Sequence, residues 1–364
     1  MSSIPFLEYK RDDFVSSAVF VTTENHSNQE TNDKIKHKLL FAWKCAQEKG
    51  VLNYKLSDSK SKQIDGNYAF SLMVNKERSR KRRSAEQFDN LCQPFDEEKW
   101  NFTRLKEEEC LFKMVRLDRC NVAGDFANEL TTIAVNASPV NLGHSLVVPS
   151  PSKRLPQLIT AAAICDGLEL LSLVSDPNFV LIFNGLLAHA SVNHLHLHSL
   201  FWPYKSGIVT KETEMVQNGL FSIIRRPTWF VPAFVFQLTA NLDIESLARR
   251  IEKAAFFLTS NDFSYNLFFA RAKKLKTEMS TAAMNHFTPT VYLFPRRKTY
   301  GGLDSNCDSF IPASLELAGL IPIYDDIFFE SASEKQIIEV FDGYSLIKDE
   351  FFEELVAGMA RHLQ

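Results

Sequence analysis

The stretch His194-Leu195-His196-Leu197-His198 holds three of the nine histidines of this 364-residue chain within five residues. Histidine alternates with leucine here, and successive side chains of a β-strand point to opposite faces of the sheet. A strand therefore places the three imidazoles on one face and both leucines on the other. We predict that the leucines pack into a core and that the histidines line a cleft.

Three kinds of role are compatible with such a histidine cluster. Neighbouring imidazoles on one strand face are ~6–7 Å apart at their bases, and the outer two are ~13 Å apart. Zinc-ligand nitrogens lie ~2.0–2.1 Å from the ion, so a shared metal requires a bend and a further ligand, for which there is no local candidate. A neutral imidazole can instead attack phosphorus while its neighbours stabilise the developing charge. The third alternative is an amphipathic surface strand without chemistry. The concentration of histidines against a sparse background favours the nucleophile.

The composition limits the classes of function. With 41 basic and 44 acidic residues the formal net charge is −3, and 45% of the residues are hydrophobic. These values are typical of a globular protein with one large domain or two smaller ones, and they give no reason to expect bulk electrostatic binding of nucleic acid or of a membrane. The six cysteines form no C-x-x-C pair, and no apolar stretch approaches the ~20 residues of a membrane span. The start lacks a secretory signal, so we expect a cytoplasmic protein.

The hydrophobic pattern predicts an α+β fold, an antiparallel sheet with flanking helices. Hairpin-like returns between the strand-like segments favour this class over a doubly wound sheet. No G-x-G-x-x-G or G-x-x-x-x-G-K-[ST] motif opens a helix, so the common glycine-rich phosphate loops are absent. The predicted strands are 100–103, 111–115, 130–135, 145–148, 179–183, 228–238, 265–271 and 290–294. The predicted helices are 33–48, 154–174, one capped by Asp243, one from about Ser333 with Gln336 in capping-box position, and one at about 348–362, whereas residues 1–32 are predicted to be an arm or loop.

A second distinctive stretch is the basic run 76–83, which reads Lys-Glu-Arg-Ser-Arg-Lys-Arg-Arg. A solvated connection, a contact with an anionic ligand and a targeting signal are all compatible with such a run. Cations beside a phosphate-binding cleft help to bind it without neutralising the whole protein.

The histidine stretch also carries a family resemblance. Residues 194–200 resemble the histidine-triad signature His-φ-His-φ-His-φ-φ, with Ser199 at a position that is usually apolar. With the preceding Phe183-Asn184 and Ala190-Ser191-Val192-Asn193, the stretch resembles the GDP-D-glucose phosphorylase family. That family is close to the plant GDP-L-galactose phosphorylases and belongs to the histidine-triad superfamily, together with galactose-1-phosphate uridylyltransferase. Further blocks similar to the family are 81–83, 93–96, 100–103, 143–149, 155–157, 266–271, 292–296 and 316–319.

Two segments depart from the family pattern, Gly185-Leu186-Leu187-Ala188-His189 and, more slightly, Ile311-Pro312-Ala313-Ser314. These differences concern the sugar side of the pocket more than the chemistry. The identity of the sugar therefore stays more open than the reaction.

The resemblance implies a histidine-triad-like fold with two triad-like halves in one chain. We expect an N-terminal half, residues 1–205, that carries the catalytic histidine cluster. A C-terminal half, residues 206–364, is expected to complete the nucleotide cleft. Two halves in one chain would make a monomer sufficient, and a homodimer is the alternative.

The resemblance also implies a reaction. His196 attacks the α-phosphorus of a GDP-hexose, releases hexose 1-phosphate and carries GMP on its ring, and inorganic phosphate then releases GDP. His194 orients the nucleophile or contacts phosphate, and His198 lies nearer the leaving-group oxygen. The further substrate-binding candidates are Asn184, Ser191 and His144. The expected partners are the GDP-hexose and inorganic phosphate, and neither a metal ion nor a cofactor is expected.

Structural roles stay open for several of these residues. Asn184 is compatible with a turn, Ser191 with a backbone hydrogen bond, and His144 with a purely structural position. Arg271 and Arg296 are expected on a solvated face, with phosphate binding as the alternative. The histidines without a surrounding constellation are interpreted as structural, namely His26, His37, His189, His286 and His362.

Two other functions remain compatible with the residues. A dinucleotide or nucleotide-sugar hydrolase of the same superfamily uses water as the second acceptor in place of phosphate. A nucleotide-sensing protein binds without turnover, which the presence of all three histidines disfavours. The choice of guanine and of glucose rests on the resemblance alone.

Overall fold

A computed structural model describes residues 4–15, 34–56, 59–81, 86–118, 130–216, 219–239, 241–275, 287–299, 309–344 and 346–364. Its strands are β1 Phe6–Tyr9, β2 Lys60–Gln63, β3 Ser71–Val74, β4 Cys110–Arg116, β5 Thr131–Val135, β6 Ser145–Pro149, β7 Phe179–Asn184, β8 Leu197–Phe201, β9 Glu214–Met215, β10 Ser222–Ile224, β11 Ala233–Gln237, β12 Ser264–Lys273, β13 Phe287–Arg296 and β14 Leu320–Ile323. Its α-helices are α1 Lys34–Glu48, α2 Lys76–Lys81, α3 Ala161–Leu173, α4 Ile244–Ser260, α5 Ser314–Leu317, α6 Asp326–Ser331, α7 Glu334–Asp342 and α8 Asp349–His362.

One sheet of eleven strands runs through the described chain in the order β1-β4-β5-β6-β8-β7-β12-β13-β11-β10-β9. A smaller sheet has the order β14-β3-β2. The pairs β1·β4 and β14·β3 are parallel, and the other strand pairs of the two sheets are antiparallel. The predicted α+β class with a mainly antiparallel sheet is confirmed.

Both faces of the central strands are covered, and β7 shows how the sequence achieves this. Its residues Phe179, Leu181 and Phe183 face a core that contains α3, α4 and α8, whereas Val180 and Ile182 face the opposite core, which contains the smaller sheet. Because side chains alternate along a strand, a run of consecutive apolar residues fills both layers. The histidine stretch lies next to this strand, since β8 pairs with β7.

The helix ends follow ordinary capping chemistry. Asp243 accepts the Ser246 N–H at 2.7 Å and starts α4. The predicted capping box at the start of α7 is present, because the Ser333 side chain accepts the Gln336 N–H and the Gln336 side chain accepts the Ser333 N–H. Such caps satisfy N–H groups that have no partner within the helix.

Several local predictions were wrong. Residues 100–103 do not form a strand, because Asn101 Oδ1 accepts the Thr103 N–H and caps a short 3₁₀ helix at Phe102–Arg104. The helix predicted from 154 begins only at Ala161, where Thr160 caps it. The strand predicted from 228 begins at Ala233, directly after Pro232, which has no N–H to donate to a ladder.

The N-terminal arm and the two arginines also differ from expectation. Phe6–Tyr9 forms the edge strand β1, and residues 16–32 of the predicted arm lie outside the described residues. Arg271 is buried. Its Nη2 is satisfied there, because it donates to the carbonyls of Leu171, Ser172 and Val174 at the end of α3. Cations commonly satisfy the last carbonyls of a helix in this way. Arg296 is buried as well.

The basic run begins as helix α2, and residues 82–85 lie outside the described residues, as do His26 and His286. Within the described part, Cys92 is an exposed free cysteine, and Cys165 is buried. No helix in the described ranges is long and apolar enough to cross a membrane.

Candidate active site

A cavity of about 740 Å³ lies beside the histidine stretch and is lined by residues of β6, β7, β8 and α5. His196 and His198 line it, whereas Leu195 and Leu197 lie in the helix-side core, as the alternation predicts. The regular strand begins only at Leu197, so His196 precedes it. Three other predicted site residues line the same cavity, namely His144, Asn184 and Ser191.

The ring of His196 is held in one tautomer. Its Nδ1 lies 2.7 Å from the carbonyl oxygen of His194 and 3.0 Å from Gln157 Oε1. Both neighbours are acceptors, so Nδ1 carries the proton and the lone pair is on Nε2. Because His196 lines the cavity and Nε2 has no hydrogen-bond partner among the described residues, this lone pair is available to an electrophile there.

Gln157 is the residue that makes this assignment firm. Its Nε2 donates to the carbonyls of Asn184 at 3.0 Å and of His196 at 3.1 Å, so its Oε1 must be the acceptor. That oxygen also accepts the backbone N–H of His196 at 2.9 Å. The Gln157 N–H in turn donates to Asn193 Oδ1. The buried amide therefore has its orientation fixed on both sides.

His144 sets the tautomer of His198. The Val140 N–H donates to His144 Nδ1 at 2.8 Å, so the proton of the neutral His144 ring is on Nε2. His144 Nε2 lies 3.0 Å from His198 Nδ1 and donates to it. His198 consequently carries its own proton on Nε2. The site thus holds a lone pair on His196 and an N–H donor on His198, with ring centroids 4.9 Å apart.

His194 does not line the cavity and lies behind the nucleophile. Its ring is completely buried between Phe95 and Phe102, and its Nδ1 accepts the Phe102 N–H at 3.0 Å. Its carbonyl accepts the Nδ1 proton of His196. Of the two roles predicted for His194, this geometry supports orientation of the nucleophile and not a contact with phosphate.

The amide of Asn184 is also oriented by its surroundings. Its Oδ1 accepts Asn266 Nδ2 at 2.8 Å and the Ser314 N–H at 3.1 Å. The Nδ2 group is therefore left to donate toward the cavity that Asn184 lines. Asn266 is itself held by Ala188, whose carbonyl accepts its Nδ2, and by Arg296, whose Nη1 donates to its Oδ1. The alternative of a simple turn residue does not describe Asn184.

Ser191 lies exposed at the rim of the cavity, where its carbonyl accepts the Glu86 N–H at 3.3 Å. Behind the rim, one wall of the cavity is apolar. Its members are Trp100, Phe102, Leu105, Leu146 and Val192. An apolar wall with a few convergent polar groups is typical of small-molecule sites.

Burial keeps the histidines of the site uncharged. It lowers the pKa of His196 to about 4. Burial, and then the charge of Arg78, lowers the pKa of His144 to about 3. The pKa of His198 lies well below its usual value, first because of burial and then because of His196. All three rings are therefore neutral near pH 7, as the hydrogen-bond pattern requires.

Two family models match the chain: "GDPGP1-like, N-terminal domain" over residues 34–200 and "GDPGP1-like, C-terminal domain" over residues 210–362. The chain belongs to the GDPGP1-like family. A curated relative, GDP-D-glucose phosphorylase 1 of Caenorhabditis elegans, is 34% identical over 99% of this chain and 76% of that protein. The Homo sapiens protein of the same name is 32% identical over 85% of this chain and 78% of that protein.

A solved structure has a fold similar to that of this chain. The crystal structure of yeast Ap4A phosphorylase Apa2 in complex with AMP has a TM-score of 0.55 and 17% sequence identity, covering 84% of this chain and 94% of that chain. At this identity the comparison supports the fold. The mixed α+β architecture with a large antiparallel sheet is thus shared with a phosphorylase of known structure.

Sequence reasoning missed three residues of this GDPGP1-like site. Gln157 lies in the block 155–157 that is similar to the family, and the sequence assigns it no role, although it holds His196. Glu316 lines the cavity, and burial raises its pKa to about 7, opposed in part by Arg78 and Arg296. His189, interpreted as structural, lines the cavity too, and its Nε2 lies 3.5 Å from Arg296 Nη2. Their positions depend on chain segments that meet only in the fold, so no local spacing marks them.

No group of three or more histidine, cysteine, aspartate or glutamate side chains suited to hold a metal ion occurs among the residues the structure describes. The Nδ1 atoms of the cluster are engaged in hydrogen bonds within the protein. His144 Nδ1 and His198 Nδ1 accept hydrogen bonds, and His196 Nδ1 donates one.

Proposed function

We propose that this chain is a GDP-D-glucose phosphorylase, which converts GDP-glucose and inorganic phosphate to GDP and glucose 1-phosphate through a covalent GMP-histidine intermediate on His196. The observation that carries the proposal is the fixed tautomer of His196, with its Nε2 lone pair free beside the cavity. Membership of the GDPGP1-like family and the names of the relatives support the choice of substrate.

In the first half-reaction, His196 Nε2 forms a bond to the α-phosphorus of GDP-glucose. The bond from that phosphorus to the bridging oxygen breaks, and glucose 1-phosphate leaves with the electron pair. The ring becomes a phosphoryl-imidazolium, and its positive charge strengthens the Nδ1–H bonds to Gln157 Oε1 and the His194 carbonyl. The His198 Nε2–H donates to the departing oxygen. No proton has to be removed from His196, because a neutral imidazole attacks.

In the second half-reaction, an oxygen of inorganic phosphate bonds to the α-phosphorus. The N–P bond breaks, its electron pair returns to His196 Nε2, and GDP leaves. Imidazole serves both steps because it is a capable nucleophile and a good leaving group near neutral pH.

The other predicted residues take supporting roles in the proposal. Asn184 Nδ2 donates to a phosphoryl oxygen, because its Oδ1 is already occupied. His194 and His144 are positioning residues that set the nucleophile and the donor of the site, respectively. Ser191 at the rim binds the outer part of the substrate.

We propose the domain division 1–205 and 206–364 as predicted, which the separate family models for 34–200 and 210–362 support. The two parts share the large sheet, since β12 of the second pairs with β7 of the first. His196 and Glu316, from the two parts, line one cavity within a single chain, which supports a monomer as the active unit, with a homodimer as the alternative. The free thiols of Cys45, Cys92 and Cys110 support a reducing, cytoplasmic setting.

The test is turnover of GDP-glucose, GDP-mannose, GDP-galactose, UDP-glucose and diadenosine polyphosphates with and without phosphate. The expected result is release of GDP and glucose 1-phosphate from GDP-glucose, with multiple turnovers only when phosphate is present. Sustained release of GMP without phosphate would instead identify a hydrolase. Binding without product in either condition would identify a nucleotide-binding protein. The preferred hexose follows from the ratio of kcat/KM values.

A further inference from the structure

The basic side chains described within helix α2, Lys76–Lys81, lie in two different surroundings, the protein surface and the histidine cavity. Asn75 Oδ1 accepts the N–H groups of Glu77 and Arg78 and starts the helix. Lys81 lies on the outer side, where it pairs with Glu77 and its side chain is 52% exposed. Arg78 and, at its exposed edge, Arg80 instead line the histidine cavity. The run is therefore neither a solvated connection throughout nor a uniform patch.

The guanidinium of Arg78 is held in place at the cavity. Its Nη1 donates to the Ser138 carbonyl and lies 3.4 Å from the Tyr54 hydroxyl. Its Nε is buried and has no hydrogen-bond partner within the described part of the chain. These contacts fix the group before any ligand arrives, and they leave donors unused.

No described carboxylate comes within ion-pair distance of this guanidinium. Glu316 faces it and is close enough for the two charges to affect each other's pKa, but the Glu316 carboxylate accepts the Ala313 N–H and forms no ion pair with it. Its other titratable neighbours include Tyr54, Tyr324, His144 and His198. Burial alone would lower the pKa of Arg78, but Tyr324, Tyr54 and Glu316 raise it above its usual value, so the group stays charged. A charged guanidinium that lines a cavity without an ion-pair partner is a functional-site candidate.

A single turn connects Arg78 to the proton donor of the site. Ser138, whose carbonyl accepts from Arg78, donates its N–H to Asn136 Oδ1 at 2.9 Å. Asn136 Nδ2 lies 3.2 Å from His144 Nε2 and 3.4 Å from His198 Nδ1. The cation and the His198 N–H donor are thus anchored to the same three-residue segment, on the same cavity.

We propose that Arg78 binds the phosphoryl group next to the one that His196 attacks. The inference rests on the proposed function and assigns one anion position to both of its half-reactions. In the first, Arg78 holds the β-phosphoryl of the nucleoside diphosphate sugar, which leaves as part of the hexose 1-phosphate. In the second, inorganic phosphate enters at the same position, bonds to the α-phosphorus and becomes the β-phosphoryl of GDP, while the N–P bond breaks. One cation serves both, because leaving group and acceptor occupy the same side of the α-phosphorus.

The test compares nucleoside diphosphate with monophosphate binding, so it does not depend on turnover. Calorimetry gives Kd values of the full chain for GDP and GMP and for ADP and AMP, and the pair that the parent binds more tightly is used. The variants are Arg78→Gln, Arg78→Lys and the control Lys81→Gln, which removes a cation from the same helix. Thermal unfolding establishes that each variant is folded.

Arg78→Gln is expected to weaken diphosphate binding about 10- to 150-fold, the range for a hydrogen bond to a charged group, and to leave monophosphate binding within about twofold. The diphosphate Kd of Arg78→Lys should lie between those of the parent and of Arg78→Gln, because lysine keeps the positive charge but lacks the planar set of guanidinium donors. Lys81→Gln should match the parent. Equal losses for both nucleotides, or no loss for either, would overturn the assignment of Arg78. If Arg78→Gln weakens diphosphate binding selectively but the parent does not phosphorolyse GDP-glucose, the proposed reaction is refuted and the assignment of Arg78 to an anion position stands.

Discussion

Replacing Gln157 by leucine tests whether the orientation of His196 controls the reaction. The side chain of Gln157 accepts the N–H and the Nδ1–H of His196 and donates to two carbonyls, those of Asn184 and His196. Leucine has a similar volume and makes none of these bonds. The His194 carbonyl still accepts the Nδ1 proton, so orientation is weakened and not abolished.

The magnitude follows from the charge that develops on the ring. The Nδ1–H bond to Gln157 strengthens when His196 becomes a phosphoryl-imidazolium, and a hydrogen bond to a charged group contributes roughly 1.5–3 kcal/mol. At about 1.4 kcal/mol per factor of ten, the first-turnover rate of Gln157→Leu should fall about 10- to 150-fold. Stability should fall by about 3 kcal/mol, at ~1 kcal/mol for each of the other three hydrogen bonds.

A matched control separates the rate effect from the loss of stability. Gln237 is also buried, and its side chain makes three hydrogen bonds, to the Lys273 carbonyl, to Thr290 Oγ1 and from the Leu275 N–H. None of these partners lines the histidine cavity. Gln237→Leu should therefore lose similar stability in thermal unfolding and keep the parent's first-turnover rate. Rapid-quench release of glucose 1-phosphate measures that rate. The reasoning is wrong if Gln157→Leu stays within threefold of Gln237→Leu.

Three further predictions concern proton positions and the amide network. His144→Phe removes the donor that fixes the tautomer of His198 and should lower kcat about tenfold, which corresponds to roughly 1.4 kcal/mol. His144→Gln can still donate and should retain more activity in the same steady-state assay, so an equal loss in both variants would contradict the tautomer assignment. The loss of first-turnover rate that reports protonation of His196 should have its midpoint near pH 4, because burial lowers the pKa of His196 to about 4 and protonation removes the attacking lone pair. In a Glu316→Gln variant, which removes the other group of the cavity that titrates near 7, a midpoint near 6.5 would show that the ring is not shielded. Asn266→Asp places an acceptor against Asn184 Oδ1 and should raise the KM for the nucleotide sugar about tenfold, which corresponds to the loss of about one hydrogen bond, with a smaller change in kcat. An unchanged KM would contradict the assignment of Asn184 to the phosphate site.

The positions of the leucines and of His196 and His198 could be predicted from the sequence because their signal is local. His194 was predicted to line the cleft as well, but it lies buried behind His196, because the regular strand begins only at Leu197. Alternation of histidine and leucine over 194–198 sets which side chains enter the core, and the structure places Leu195 and Leu197 there. The residues that fix the ring chemistry carry no local signal. Gln157 lies 39 positions before His196, and the two meet through a buried hydrogen bond. A sequence without spatial information offers no periodicity for such a contact.

The arginines show where a general expectation failed. Charged side chains are rarely buried unless they are paired, so a solvated face is the expectation for Arg271 and Arg296. Both lie on the long central strands β12 and β13, which are covered on both sides. Arg271 satisfies carbonyls at the end of α3, and Arg296 donates to Asn266 and to the Pro312 carbonyl. Their partners come from distant elements, so only the assembled sheet explains their burial.

The basic run was ambiguous for a different reason. A charge run signals exposure on average. Arg78 nevertheless donates to the Ser138 carbonyl and lines the cavity, whereas Lys81 of the same run pairs with Glu77. The sequence alone could not say which member faces a ligand, because the boundary of this short helix is set by the cap at Asn75.

The covalent intermediate is the central claim, and mass measurement of the protein tests it most directly. The full chain is mixed with GDP-glucose in the absence of phosphate, quenched under alkaline conditions that preserve an N–P bond, digested and analysed by mass spectrometry. The account predicts one GMP on the peptide that contains His196, formed in step with one equivalent of glucose 1-phosphate and removed as GDP when phosphate is added. A GMP adduct on another residue, or glucose 1-phosphate released by His196→Ala at the parent rate, would contradict it.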